Sequence, residues 1–260
     1  MKKIRQWLSP PDPSLNHYNA LKLRQADTGL WFLNGDEYAK WSSNGPATIW
    51  LYGIPGCGKS ILSSSIVENI LQRCEGDPGK VAAYFYFDFK DKMKQSPDLM
   101  IKSIICQLSQ QCVKAPLRLE SLFSSCEGKQ RQPTIDDLLA VLKEMIQEYP
   151  ESYIILDALD ECENRAELMT VAEQIIGWQL DRLHFLVTSR KERDIQESLE
   201  SLVEEDNIIC LQSHLIDDDI RKYVGKRLLE DRDLKKWQKD PDIRGEIETA
   251  LMKGANGMYV

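Results

Sequence analysis

Gly53 to Ser60 reads G-I-P-G-C-G-K-S, a glycine-rich octet closed by a lysine and a hydroxyl residue. Its fixed positions match G-x-x-x-x-G-K-[ST], the spacing of a phosphate-binding loop. Polyphosphate recognition needs this pattern because consecutive backbone N–H groups must wrap the anion, and side chains at Gly53, Gly56 or Gly58 would obstruct that approach. Lys59 then brings positive charge to the β- and γ-phosphates, and Ser60 offers a hydroxyl to Mg²⁺. Ile54, Pro55, Cys57 and Ile61 complete the stretch expected to touch nucleotide. The helix that starts over Gly58 to Ser60 points its positive end at the anion.

Two further runs end in groups that belong beside such a loop. Tyr153 to Cys162, Y-I-I-L-D-A-L-D-E-C, closes an apolar run with Asp157 and follows it with Asp160 and Glu161. A carboxylate at the end of a buried strand is costly unless it meets a cation. In a phosphate-loop protein that strand end lies where Mg²⁺ sits, so Asp157 is assigned to the metal as the Walker B residue. Asp160 and Glu161 extend toward the γ-phosphate, where a carboxylate positions or deprotonates the attacking water; the plainer alternative is a helix N-terminus that favours acids. Phe185 to Arg190, F-L-V-T-S-R, ends another apolar run in Thr188, Ser189 and Arg190. Any of these could sense the γ-phosphate, and ordinary residues at a strand end are the alternative.

The apolar runs predict the elements that must hold these groups. Strands are expected at Ile49–Tyr52, Val81–Phe89, Tyr153–Leu156, His184–Thr188 and Ile208–Leu211, with amphipathic helices between them. The fold class that follows is α/β: a P-loop NTPase three-layer sandwich around a central, mainly parallel five-stranded sheet. Residues 1–15 carry Pro10, Pro11 and Pro13 and read as a Pro-rich lead-in or linker. Residues 16–47 form a helical segment preceding the P-loop strand, packing its aromatic residues against the core, with an adenine-facing role for part of it as the alternative. The NTPase core spans 48–215. From Ile216 the spacing of Ile220, Tyr223, Val224 and Leu228 predicts an amphipathic helix whose charged residues form its solvated face. Residues 216–260 read as the start of a C-terminal helical region that continues in a longer protein.

Composition narrows the function classes. The 260 residues contain 33 Lys plus Arg against 41 Asp plus Glu, and a net charge of −8 argues against broad binding to a nucleic-acid backbone. Seven scattered cysteines, never spaced C-x-x-C, read as reduced thiols rather than a disulfide frame or zinc site, and His17, His184 and His214 as surface or packing residues. The N-terminus lacks the apolar stretch of a signal peptide, and no apolar run is long enough to span a membrane. A cytoplasmic location is expected.

Taken together, G-I-P-G-C-G-K-S, Y-F-Y-F-D-F, L-D-A-L-D-E-C, L-V-T-S-R and A-N-G-M-Y resemble the NACHT NTPase module of fungal NLR-type proteins, also described as a nephrocystin-3-like N-terminal domain. The stretch from Trp7 to Leu33 resembles the segment preceding that module. The resemblance implies a STAND-type signalling ATPase in which nucleotide exchange switches a closed monomer to an oligomer, in fungal self/non-self recognition or programmed cell death. Carried over by position, Gly53, Gly56, Gly58, Lys59 and Ser60 hold phosphate and Mg²⁺, Asp157 is Walker B, Asp160 and Glu161 are the extended acids, and Arg190 is the sensor. It also implies ATP or ADP with Mg²⁺ as cofactors, slow hydrolysis, self-association through the NTPase module, and effector and sensor regions on flanking domains. A turnover ATPase or small-molecule phosphotransferase, and a binding-only scaffold, are the other readings. No N-K-x-D stretch for guanine occurs, which favours adenine.

Overall fold

Five runs rich in β-branched and aromatic residues pair into one wholly parallel sheet, β1 (Ala47–Tyr52), β2 (Lys80–Tyr86), β3 (Glu151–Asp157), β4 (Leu183–Ser189) and β5 (Ile208–Cys210), in the order β2-β3-β4-β1-β5. The computed structural model describes residues 2–43, 47–111, 116–129, 131–211, 216–230, 241–255 and 257–258. Before β1 come α1 (Lys2–Leu8), α2 (Ser14–Leu23), α3 (Leu30–Leu33) and α4 (Asp36–Ser43), and α5 (Lys59–Cys74) follows it. Between β2 and β3 lie α6 (Pro97–Gln111), α7 (Leu117–Lys129) and α8 (Ile135–Gln147). The strands β3, β4 and β5 are connected through α9 (Arg165–Gly177) and α10 (Arg193–Leu199), and α11 (Asp217–Glu230) and α12 (Pro241–Ala255) follow.

Strand residues alternate between two cores, as period-two geometry requires. Trp50, Phe85, Ile154, Leu156, Phe185 and Val187 face a core shared with residues of α6, α8 and α9. Ile49, Leu51, Tyr153, Ile155 and Leu186 face the other, built with Ile66 and Ile70 of α5, Trp41 of α4, and Ile220 and Val224 of α11. Burial on both faces explains why the strands read as continuous apolar runs rather than alternating ones. Register places the functional strand ends together: Tyr52 is opposite Ser189, Leu156 opposite Val187, and Tyr86 opposite Asp157.

Three expectations need correction. The second strand stops at Tyr86, not Phe89: the Phe87 N–H still bonds the Asp157 carbonyl at 3.0 Å, but the Asp88 side chain then accepts from the Lys90 N–H and turns the chain out, leaving Phe89 61% exposed. The N-terminal lead-in is not a loose linker, since Ile4 and Leu8 of α1 enter the core and the Ser103 hydroxyl donates to the Pro11 carbonyl. The charged residues of α11 are not all solvated: Asp219 is 4% exposed. Thr134 and Asp137 close a capping box at the start of α8, with the Asp137 N–H donating to the threonine hydroxyl and the Thr134 N–H to the carboxylate. His214 lies outside the described residues, and the six described cysteines are unpaired. No described helix is long and apolar enough to cross a membrane.

His184 is buried, stacked on Tyr153 with ring centroids 4.5 Å apart, and its Nδ1 meets the Trp41 carbonyl. Burial holds its pKa below the usual histidine range, against the pull of that carbonyl. A lowered folded-state pKa means the unfolded chain takes up the proton first, so the fold is stabilised above about pH 6.5 and that contribution is lost as pH falls through the lowered value. The melting temperature therefore drops between pH 7.5 and 5.5, and the drop is smaller in His184→Phe, which keeps the ring stack and removes the titration. Equal drops in both proteins would contradict this assignment.

Candidate nucleotide site

The loop between β1 and α5 takes its shape from glycine. Gly56 and Gly58 adopt φ of +76° and +88°, and a Cβ at Gly53 would stand 2.6 Å from the Cys57 sulfur. The Gly53 N–H bonds the Ser189 carbonyl at 3.3 Å, tying the loop to the end of β4. Lys59 opens α5 and folds back over its own loop, its Nζ 2.9 Å from the carbonyl oxygens of both Gly53 and Ile54. Met258 lies against the loop, its side chain 3.7 Å from where a Cβ on Gly56 would be.

The two motifs, 97 residues apart, meet directly. The Ser60 hydroxyl donates to Asp157 Oδ2 at 2.6 Å, and the Thr188 hydroxyl donates to Asp157 Oδ1 at 2.7 Å. Burial pushes the Asp157 carboxyl above the usual carboxylate range, and the Ser60 and Thr188 hydroxyls and the Lys59 charge pull the other way. A buried carboxylate that two hydroxyls leave short of compensation, beside a serine hydroxyl, is an all-oxygen donor set suited to a hard cation such as Mg²⁺. Asp157→Asn is therefore expected to raise the melting temperature of the nucleotide-free chain and to abolish the Mg²⁺ dependence of nucleotide binding. Differential scanning with and without Mg²⁺ checks both, and a lowered melting temperature would contradict the burial argument.

The remaining strand-end residues divide differently from the sequence reading. Thr188 and Ser189 spend their hydroxyls on protein partners. Thr188 is fully buried, bonded to Asp157 and accepting from the Ala158 N–H at 3.0 Å, while Ser189 accepts from the Trp50 indole N–H at 2.9 Å. Ala158 holds a left-handed φ of 59°, which turns the chain sharply into the Leu159–Glu161 helical turn. That turn presents Asp160 to Arg190: Oδ2 lies 3.0 Å from the guanidinium Nε and Oδ1 accepts from the Arg190 N–H at 2.9 Å. Arg190 keeps 44% of its side chain exposed, whereas Asp160 keeps 6%. Glu161 accepts from the Phe89 N–H at 3.0 Å, and burial raises its carboxyl above the usual range, partly offset by that N–H.

A cleft beside the loop was not singled out from sequence. Thr28, Gly29 and Trp31 form one wall, Ile61, Leu62 and Ser65 of α5 the second, and Leu211, Ile216 and Asp219 the third. It adjoins Cys57 and Gly58 of the phosphate loop, and its largely apolar walls suit a flat heteroaromatic ring. One signal was available: Asp219 stands three residues after Ile216 and four before Tyr223, on the apolar face of α11.

The sequence model of the family described as nephrocystin 3, N-terminal, matches residues 27–190. The chain belongs to that family. As a nephrocystin-3-like, NACHT-type P-loop NTPase module it is 21% identical over 240 residues to the vegetative incompatibility protein HET-E-1 of Podospora anserina, covering 90% of this chain and 17% of that protein. It is also 28% identical over 102 residues to the proteasome-associated ATPase of Mycolicibacterium smegmatis, covering 36% of this chain and 16% of that one. The module thus spans less than a fifth of either relative. Among solved structures, Drosophila ORC bound to DNA covers 94% of this chain and 61% of its own at TM-score 0.47 and 14% identity. Aeropyrum pernix ORC1 in complex with DNA covers 94% and 55% at TM-score 0.44 and 11% identity.

Proposed function

We propose that this module is a nucleotide-operated switch: it binds ATP or ADP with Mg²⁺, hydrolyses ATP slowly, and passes its state to flanking regions. The observation that carries the reading is the Ser60–Asp157 hydrogen bond, which joins the phosphate loop to the end of β3 where a nucleotide-bound cation belongs. When bound, Mg²⁺ would be held by Ser60 and Asp157, and it would neutralise phosphate charge. Gly53, Ile54, Pro55, Gly56, Cys57, Gly58 and Ile61 would line the phosphates with Lys59. The cleft between Gly29 and Ile61 would take the base, so part of the 16–47 segment faces adenine. Glu161 would position the attacking water, and Arg190, released from Asp160, would meet the γ-phosphate.

HET-E-1 is named as a vegetative incompatibility protein, which supports a role in fungal incompatibility or innate-immunity-like signalling. In that role the 48–215 core would self-associate, and effector and sensor regions would come from elsewhere in a longer protein. The six described cysteines, all unpaired, favour a cytoplasmic setting, and the net charge of −8 favours one without a nucleic-acid partner. Steady-state phosphate release tests the switch against a turnover enzyme. The switch predicts rates below about 1 s⁻¹, the lower end for turnover enzymes. Rates well above that would favour a turnover ATPase.

A further inference from the structure

Asp219 carries a buried carboxylate that none of the roles above uses. It accepts from the Gly29 N–H at 2.6 Å across 190 residues of sequence, and it is 4% exposed. Three residues further along α11, the Lys222 ammonium donates to the Asp27 carbonyl at 2.9 Å and stands 3.7 Å from Asp219. The first turn of α11 is thus fastened twice to the Asp27–Gly29 turn. Burial pushes the Asp219 carboxyl above its usual range, with the Gly29 N–H and Lys222 opposing, so the contact is held under a desolvation cost.

The same residues close the cleft beside the phosphate loop. Its free volume is about 20 Å³, on the scale of one water molecule. Leu62 packs against Gly29 across the cleft, so a Cβ there would stand 3.0 Å from Leu62 Cδ1. The Gly29 N–H is a wall donor of the kind that reads a purine ring nitrogen, and the Asp219 carboxylate occupies it. Among the described residues, the polar contacts that join α11 to this turn come from Asp219, to the Gly29 N–H and the Trp31 side chain, and from Lys222, to the Asp27 carbonyl.

We infer that Asp219, seconded by Lys222, is a latch on the base cleft, so that occupancy by a purine base and docking of the first turn of α11 exclude one another. This rests on the cleft taking the base, as proposed above. A ligand shifts a conformational equilibrium only through contacts that differ between the states, and the apparent affinity falls by the fraction of molecules already open. Base-bearing nucleotides therefore release the first turn of α11, whereas a bare polyphosphate leaves it in place. The latch makes α11 the element that reports whether the site holds a whole nucleotide.

Calorimetric titration of the 260-residue chain with ADP and with inorganic tripolyphosphate, both in Mg²⁺, separates the two halves of the site. Asp219→Ala is expected to bind ADP about tenfold more tightly and Lys222→Ala a few-fold more tightly, with tripolyphosphate affinity unchanged in both. Hydrogen exchange over residues 217–223 of the unsubstituted chain should quicken with ADP and not with tripolyphosphate. Lys222 is half exposed, so its variant carries the test if Asp219→Ala fails to fold. Unchanged or weaker ADP binding in the folded variants, or slower exchange at 217–223 with ADP, overturns the latch and leaves the nucleotide site standing. An unsubstituted chain that binds neither ligand overturns the nucleotide site and the latch together.

Discussion

Replacing Lys59 with alanine is expected to abolish ATP and ADP binding and leave the fold intact. The ammonium now satisfies two loop carbonyls, Gly53 and Ile54, at 2.9 Å each. It belongs to neither apolar core, and of the two carbonyls it leaves, that of Ile54 lies on the half-exposed part of the loop. On binding, the same charge turns to the phosphates, where each charge-assisted hydrogen bond is worth roughly 1.5–3 kcal/mol. Two such bonds place the loss at roughly a hundredfold or more. Titration with labelled ATP, alongside circular dichroism, tests both halves. Native affinity in the variant would remove the phosphate loop from the account, and a lost fold would show that the lysine's contacts to its own loop are structural.

The second large effect is on hydrolysis. Glu161→Gln is expected to keep nucleotide binding and slow phosphate release by roughly a hundredfold, the usual scale for losing a general base. The structure makes the comparison with Asp160 informative. Asp160 is committed through both oxygens, to the guanidinium and to the N–H of Arg190. Glu161 uses one oxygen on the Phe89 N–H, and burial raises its carboxyl above the usual range, which makes it a more basic carboxylate for a proton from water. Asp160→Asn should therefore act through Arg190, altering the response to the γ-phosphate more than the chemical step. Hydrolysis stopped by Asp160→Asn and unaffected by Glu161→Gln would exchange the two roles.

The phosphate loop and the acids of β3 were legible because each rests on a short, fixed spacing that the backbone itself demands. Gly56 and Gly58 need positive φ, and Asp157 needs a cation at a buried strand end. The five strands were legible because both faces of the sheet are covered, which leaves unbroken apolar runs. The end of β2 was not, because Phe87 and Phe89 look alike in composition, and only the Asp88 turn separates a buried ring from an exposed one. Thr188 resembled a phosphate sensor because threonine at a strand end has a polar tip in either role. Its partner was decided by the parallel register that sets Val187 opposite Leu156 and so brings Thr188 to Asp157. Asp219 was hidden among Asp217 and Asp218 at a helix start, where acids are favoured for local reasons. Its carboxylate is singled out by a contact with Gly29 across 190 residues, which no local pattern encodes.

The central claim is that Gly53–Ser60 and Asp157 form one Mg²⁺-assisted nucleotide site. The most direct measurement is calorimetric titration of the nucleotide-stripped chain with ADP, with and without Mg²⁺, in the unsubstituted protein and in Lys59→Ala. The account predicts saturable binding that Mg²⁺ strengthens and that Lys59→Ala removes. Absence of binding in the unsubstituted chain, or binding indifferent to both Mg²⁺ and Lys59, would contradict it.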